Sequence, residues 1–561
     1  MRNSKTKRGI FFGLLCAAML FAPLAAFAAG QTITIDKPIT GDVYGNGDSP
    51  NGSMPNNGLS TLKDLNENTV KIQSGGAVGG SVYGSYFEDR TTSTIASDNS
   101  VTIDGGKVDG EAYGGYVLFS SGFGSGVIDA SAKSNDVTFK SGSVGNAIYG
   151  GTALNYDAGQ AHTVGNTVTI TGGTAGGGIS GGESSSYGGS ADSLNNSVTV
   201  TGGTIGNGIV GGGSNSDGGS AESLNNSVTI NGGTIGGSIS GGGSSGHGDS
   251  ANSLNNSVTI NGGTIGGDVV GGNSFSDVDS AESLNNSVTV TGGTITGSRI
   301  YGGYADSDGS GKSGVANGNS VVLSGGDIIT GFGHLVFGGY SLVNGYSETG
   351  AATGNSVTVS DDLTLSGSGA LSVYGGFVGK ASGIPEPGTD AFTGNTFNKN
   401  SKVLVTAAGN FENVSFDYTG DANITRLDTT PGGSAKKTVN IDTKSNNVNF
   451  NGVITGSGNI DKKGSGELTL TDITGLTGTI TLSEGAIKNA TSDTIDVVVD
   501  GMSLQLAPGE STNTNSDDDN NGNGGNGNGG NGNGGGCDAG AGVFALALLP
   551  LACAGVKRKE K

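Results

Sequence analysis

A parallel β-helix is the fold class this sequence predicts, and three observations predict it. The first is a strict period. NTVTITGG, NNSVTVTGG, NNSVTINGG, NNSVTINGG and NNSVTVTGG follow one another within residues 166–296, placing Val168, Val198, Val228, Val258 and Val288 at a fixed step of 30 residues. A period of that size marks a solenoid made of one repeated supersecondary unit. The second is alternation: Val228 and Ile230 take one parity, Ser227 and Thr229 the other, the pattern of a half-buried strand rich in β-branched residues. The third is that apolar positions repeat together in columns. Beside the valines run Ile235 and Ile239, then Ile265 and Val269, and a smaller set at Ala191/Leu194, Ala221/Leu224, Ala251/Leu254 and Ala281/Leu284. Such columns stack only when successive units lie in register. The expectation is an all-β solenoid of about eleven coils, with a β-rich C-terminal cap, a disordered linker and a short C-terminal apolar helix.

The chain opens on a targeting segment. Arg2, Lys5, Lys7 and Arg8 precede an apolar run over 10–27, and Ala26-Phe27-Ala28 offers a small-x-small site for cleavage after Ala28. Residues 1–28 therefore read as a signal peptide that takes Cys16 with it, and the mature protein is expected to be exported.

Residues 29–395 carry the repeats. Outside the central block the units start near Ile33, Val70, Val101, Val137, Val321 and Val357, at spacings of 31 to 37 residues. The extra length falls after the second strand, as in 117–133 and 341–353, which predicts loops along one edge of the solenoid. Asn195-Asn196 recurs as Asn225-Asn226, Asn255-Asn256 and Asn285-Asn286. Identical amides at one corner of stacked coils predict a hydrogen-bonded ladder, and the Gly-Gly pairs supply positive φ at the turns.

One column separates outer coils from inner ones. Tyr44, Tyr83, Tyr113, Tyr149, Tyr301, Phe337 and Tyr374 each follow an inward residue and so point outward, whereas the central coils have Ser180, Val210, Ser240 and Val270 there. Outward rings either stack on one another, gaining about 0.5–1.5 kcal/mol per pair, or form a platform for a carbohydrate or a partner protein.

The repeat wording, NNTVTI-like strands followed by YGGY-like ones over 33–377, resembles the passenger regions of bacterial autotransporter adhesins. Residues 396–510 lose the strict unit in VLVTAAG, NVSFDYTG and TVNIDTKSNNVNF. NGVITGSGNIDKKGSGELTLTDITGLTGTITLSEGAI then follows over 451–487, and it resembles the autotransporter-associated β-strand repeat. The resemblance implies a further β-helical cap. About fifty residues remain after it, too few for the many ten-residue alternating strands of an outer-membrane barrel, so self-translocation is not expected.

Residues 511–536, with Asp517-Asp518-Asp519 and repeated NGNGG, read as flexible coil, with a reach of roughly 25–30 Å. Residues 537–561 hold Cys537, an apolar run over 541–556 containing Cys553 and Pro550, and a KRKEK end. By hydrophobicity and basic flank alone this is a single-pass anchor with its end in the cytoplasm. GGGCDAGAGVFALALLPLACAG followed by KRKEK also resembles the Synerg-CTERM sorting tail, and in layout the GlyGly C-terminal tails processed by rhombosortases. That resemblance implies processing or lipidation at Cys537, with the membrane and the export and sorting-protease machinery as partners.

Composition narrows the function classes. A net charge of −22 argues against nucleic acid and anionic lipid as partners of the body. Between Ala17 and Gly536 there is no cysteine, so the body is expected to hold without disulfides. No cofactor motif is present. Gly246-His247-Gly248 and Asp361-Asp362 lie more than three coils apart, whereas glycoside chemistry needs its carboxylates within about 10 Å. His162 and His334 have no partner motif, and Arg90, Arg299 and Arg426 are the arginines between the termini. Glycine/aspartate stretches at 41–48 and 266–277 suggest Ca²⁺ coils, yet Asp268 is Ser238 one repeat earlier. No catalytic, cofactor or metal site is expected. The expected role is structural or adhesive display, and the competing class is a β-helical carbohydrate-active enzyme.

Overall fold

The computed structural model describes residues 30–47, 65–89, 93–119, 128–308, 313–329, 334–343, 349–359, 364–366, 371–380, 396–399, 403–406, 414–418, 424–428, 438–443 and 447–514. The chain divides into a unit through Asn515 and a second of Ser516–Lys561. The signal peptide with Ala28, most of the linker, Cys537 and the tail lie outside the described residues, as do Asp361 and Asp362.

One coil shows the path of all the regular ones. Ser197–Val200 and, past the Gly-Gly turn, Thr204–Ile205 lie in one sheet, sheet A. Ile209–Val210 and Gly213–Ser216 cross to sheet B, and Ala221–Leu224 forms sheet C. Each strand pairs in parallel with its equivalent 30 residues on: Val198 with Val228, Ile205 with Ile235, Ile209 with Ile239, Ala221 with Ala251. The result is a three-sided parallel β-helix. Among the described residues sheet A stacks seventeen parallel rungs from Thr32–Ile35 to Ile495–Val499, and sheet C stacks nine, from Thr94–Ser97 to Thr349–Ala351.

The predicted Val/Ile columns line the interior. Val168, Val198, Val228, Val258 and Val288 are at most 1% exposed and belong to one continuous apolar cluster with Ile205, Ile235, Ile239, Ile265 and Val269. The third column differs from the expectation. Along Ala191–Leu194 the buried residues are Ala191 and Ser193, while Leu194 is half-exposed on the outer parity, and the following coils repeat this. Positions three apart on one strand cannot share a face. Sheet C also packs closely over the buried serines of sheet B, such as Ser184, Ser214 and Ser244, leaving room inward for small residues, Ala and Ser in the central coils.

The two asparagines of each pair do different work. Asn195, Asn225, Asn255 and Asn285 take positive φ of 55° to 56° at the corner, where other coils place Gly165, Gly318 and Gly354. The second asparagine is fully buried and builds the predicted ladder. Asn226 donates its backbone N–H to Asn256 Oδ1 at 2.8 Å and its amide to Ser193 O at 2.8 Å and Ser223 Oγ at 3.0 Å. Its own Oδ1 accepts the Asn196 N–H at 2.8 Å. The same links run from Asn68 through Asn99, Asn135, Asn166, Asn286 and Asn319 to Asn355, so the ladder extends into the coils of uneven spacing. Sheet B bends against it: a Cβ on Gly182 would sit 2.5 Å from the Asn196 amide, which keeps that position glycine.

Beyond Val359 the described residues continue the solenoid in sheets A and B. Val439 pairs with Ile460, Ile460 with Ile480 and Ile480 with Val497, so a coil shortens to about 20 residues, enough for two strands and two turns. Lys462 is buried on the strand Asn459–Lys463, its ammonium donating to the carbonyls of Lys463 at 2.9 Å, Gly464 at 2.5 Å and Glu484 at 3.0 Å. Both sheets then end on a reversed strand: Met502–Leu506 runs antiparallel to Ile495–Val499, and Ser511–Asn513 to Ala486–Lys488. Reversal ends the parallel stack at this end, one way to manage exposed strand edges.

Candidate functional site

The outer face of sheet B carries the aromatic residues, and the structure places them in two columns rather than one. In the first, Tyr44 and Tyr83 stack at 5.1 Å and 5°, Tyr83 and Tyr113 at 4.9 Å and 0°, and Tyr113 and Tyr149 at 4.9 Å and 7°; Tyr301 and Phe337 resume it at 5.2 Å and 9°. Tyr374 pairs with Phe337 in backbone register. The second column holds Tyr86 stacked on Tyr116 at 5.2 Å, then Tyr304 on Tyr340 at 5.4 Å and Tyr340 on Phe377 at 5.3 Å. Edge-on contacts lock the columns together, as between Tyr83 and Tyr86 at 5.1 Å and Phe337 and Tyr340 at 4.9 Å. The rings therefore stack on themselves, and Tyr113 is only 8% exposed although it lies outside the apolar core.

The second column was not read from the sequence. Its signal is the aromatic residue three positions after the first, as in Tyr113-Gly114-Gly115-Tyr116. Strict alternation puts those two on opposite faces. The Gly-Gly bend shifts the parity, because the backbone turns there over the asparagine ladder, where a Cβ on Gly115 would meet the Asn135 amide at 2.6 Å.

Acidic residues two positions away take several of the hydroxyls. Tyr44 donates to Asp42 at 3.0 Å, Tyr86 to Glu88 at 2.9 Å, Tyr304 to Asp306 at 3.1 Å, and Tyr113 to Glu111. Burial, with help from nearby carboxylates, pushes Tyr83 and Tyr149 up to about 12. Burial does the same for Tyr301, against the pull of Arg299.

Between the two ring clusters lie four rungs with no ring in either column. In backbone register the first column reads Tyr149, Ser180, Val210, Ser240, Val270, Tyr301, and the second Tyr116, Thr152, Glu183, Gly213, Gly243, Asn273, Tyr304. Five rung spacings separate Tyr149 from Tyr301, about 24 Å. Two cavities occupy this gap. The larger, about 710 Å³, runs from Val210, Ser240 and Val270 to Tyr301, Tyr304, Phe337 and Tyr340, with Asn207, Asp268, Asn273 and Arg299 at its edges. The smaller, about 440 Å³, lies over Glu183, Gly213, Gly243 and Phe275 and shares Val210 and Asn273 with the first. Glu183 stands in this concave floor, still reached by solvent, and burial together with the charge of Glu111 raises its carboxyl above the ordinary range.

His162 and His247 pair across rungs. His162 Nδ1 meets Asp192 at 3.0 Å and His247 Nδ1 meets Asp277 at 2.9 Å. His247 Nε2 also contacts Ser245 Oγ at 3.2 Å, where His162 has the Gln160 side chain at 3.0 Å. The hydrogen bond to Asp192, with the charges of Asp192 and Asp129, raises His162 against a burial effect that lowers it. A raised folded value means stability that is fully present below the unfolded pKa of about 6.5 and is lost as pH rises through the folded one. The pair is partly exposed, which limits the effect to about 0.2–1 kcal/mol. Melting curves at pH 5.5 and 8 should show this margin in the native chain and not in Asp192→Asn.

Aspartates of the Gly/Asp stretches at 41–48 and 266–277 tie turns to neighbouring rungs. Asp42 accepts the Ser81 N–H at 2.7 Å, and Asp268 accepts those of Ser298 at 3.1 Å and Arg299 at 3.0 Å, tying each turn to the next rung. Among the described residues no group of three or more metal-ligating side chains comes together. Comparison of the chain with protein-family profiles, with curated proteins and with solved structures finds no match.

Proposed function

We propose that the chain is an exported β-solenoid with a structural or adhesive role at the cell surface, carried there by its leader and held or processed through its C-terminal tail. One observation carries the reading. A rod whose interior is filled by a valine/isoleucine core and an asparagine ladder has on its outer face a cavity of about 710 Å³ walled by tyrosines, a size that suits a ligand. The leader, the Gly/Asn linker and the Cys537 tail support the export and tethering part of the proposal. Protein recovered from the native surface should be retained on surface polymers without altering them, and its intact mass should lack Lys557 to Lys561. Retention by no surface component, or an intact KRKEK end with unmodified Cys537, would contradict the respective halves.

Ser245, His247 and Asp277 favour a second reading. Their order and spacing, Oγ to Nε2 and Nδ1 to carboxylate, are those of a base-activated nucleophile, and Ser245 lines the smaller cavity. That favours a hydrolase acting on esterified polysaccharide. The ring-to-acid link also joins His162 to Asp192, where Gln160 takes the place of Ser245, so it serves first as a rung-to-rung tie. Ester turnover abolished by Ser245→Ala would establish the hydrolase.

A further inference from the structure

We propose that the gap in the tyrosine columns of sheet B is a binding groove for a neutral polysaccharide; this rests on the adhesive reading and names its ligand class. Four features of the groove support it.

The first is missing bulk with no structural cause. Gly213 and Gly243 occupy the column that elsewhere holds Tyr116, Glu183 and Tyr304. A Cβ on either would meet nothing within 4 Å, and neither has positive φ. Nothing in the fold requires glycine at these two positions. Their effect is to lower the floor so that a ligand reaches the backbone.

The second is two orphaned polar atoms, one toward each end of the gap. Thr152 Oγ1 and Asn273 Oδ1 are buried without a hydrogen-bond partner, and Thr152 is 4% exposed. They lie in the same column, four rung spacings or about 19 Å apart. Buried polar atoms are almost always paired, and an unpaired one asks for a partner from outside the chain. Asn273 lines both cavities, where an oligosaccharide lying on the floor supplies a hydroxyl.

The third is the chemistry of the walls. Rigid tyrosine rings beside amides and serine hydroxyls match ligands that are apolar on ring faces and polar at their rims. A β-strand peptide has no purchase, because strand addition needs a free sheet edge and the floor here consists of strands paired on both sides.

The fourth is charge. Glu183 and Asp268 face the groove and Glu111 acts on it, against Arg299. With the chain at −22, this field repels polyanions. Uronic-acid and phosphate polymers are thereby disfavoured, and neutral hexose or N-acetylhexosamine polymers are selected.

The test uses the full chain on panels of soluble neutral and acidic polysaccharides, read by titration calorimetry. The decisive variant is Gly213→Tyr with Gly243→Tyr. It extends the ring column already present at Tyr116 and Tyr304 in the same register, so the protein should keep its dichroism and melt no lower. Binding of neutral polymers should fall by more than a hundredfold. Asn273→Ala, which removes one acceptor, should weaken binding about tenfold. Unchanged binding in the filled variant overturns the groove while leaving adhesion through another face intact. Binding only of acidic polymers, or only of proteins, overturns the ligand class. Loss of cell adhesion by the native chain itself removes the adhesive reading on which the proposal rests.

Discussion

Val228→Asp should break the solenoid in the middle. Val228 is 1% exposed, stacked between Val198 and Val258 in the continuous core. A carboxylate there has no partner, and burying it costs several kcal/mol or forces the rung open. Solenoid stability is close to a sum of nearest-neighbour terms, so one ruptured rung uncouples the coils on either side. Two thermal transitions, or one much lowered, should replace the native one in far-UV dichroism. Thr229→Asp is the matched control, on the same strand but the outer parity. It should change stability by no more than about 0.5 kcal/mol. Equal behaviour of the two variants would mean that the alternation is not what holds the coil.

Asn226→Leu should be nearly as damaging, for a different reason. The leucine removes the acceptor of the Asn196 N–H and the donor to Ser193 O and Ser223 Oγ. Each buried group left unpaired costs about 1–3 kcal/mol, so a total near 4 kcal/mol is expected, on the assumption that the losses add. Its neighbour gives the contrast. Asn225→Gly places at a φ of 56° the residue that other coils already use at Gly165 and Gly318, and its melting should match the native protein. Chemical denaturation of both variants checks the pair, and a tolerated Asn226→Leu would show that the ladder is ornamental.

Much of this was legible in the sequence, because a repeat states each contact many times over. Val168 to Val288 and Asn196 to Asn286 each sit over their own copy, so spacing alone fixed both the register and the ladder. The leucine at 194 was misplaced because its column was read by repetition and not by parity; repetition says that a residue stacks, and only alternation says on which face. The first aromatic column was legible in the sequence, with its interruption at Ser180, Val210, Ser240 and Val270. The cavity there was not, since it depends on a second column brought alongside by the Gly-Gly bend and on glycines at 213 and 243. A void has no residue to announce it. The β-helical character of 396–510 was legible as well; that its described coils run on two sheets was not, because the uneven spacings there do not state how many strands a coil holds.

The strict 30-residue step has a consequence for how such a protein changes over generations. Removal of residues 227–256 would join Asn226 directly to Ser257 and restore the same NNSV junction, with every column still aligned. Duplication of the unit would do likewise. Unequal recombination among these near-identical segments thus produces folded rods that differ only in length, and each event moves Thr152 and Asn273 closer or further apart by one rung, about 4.8 Å. The central block is a ruler that a lineage can lengthen or shorten without inventing a new contact.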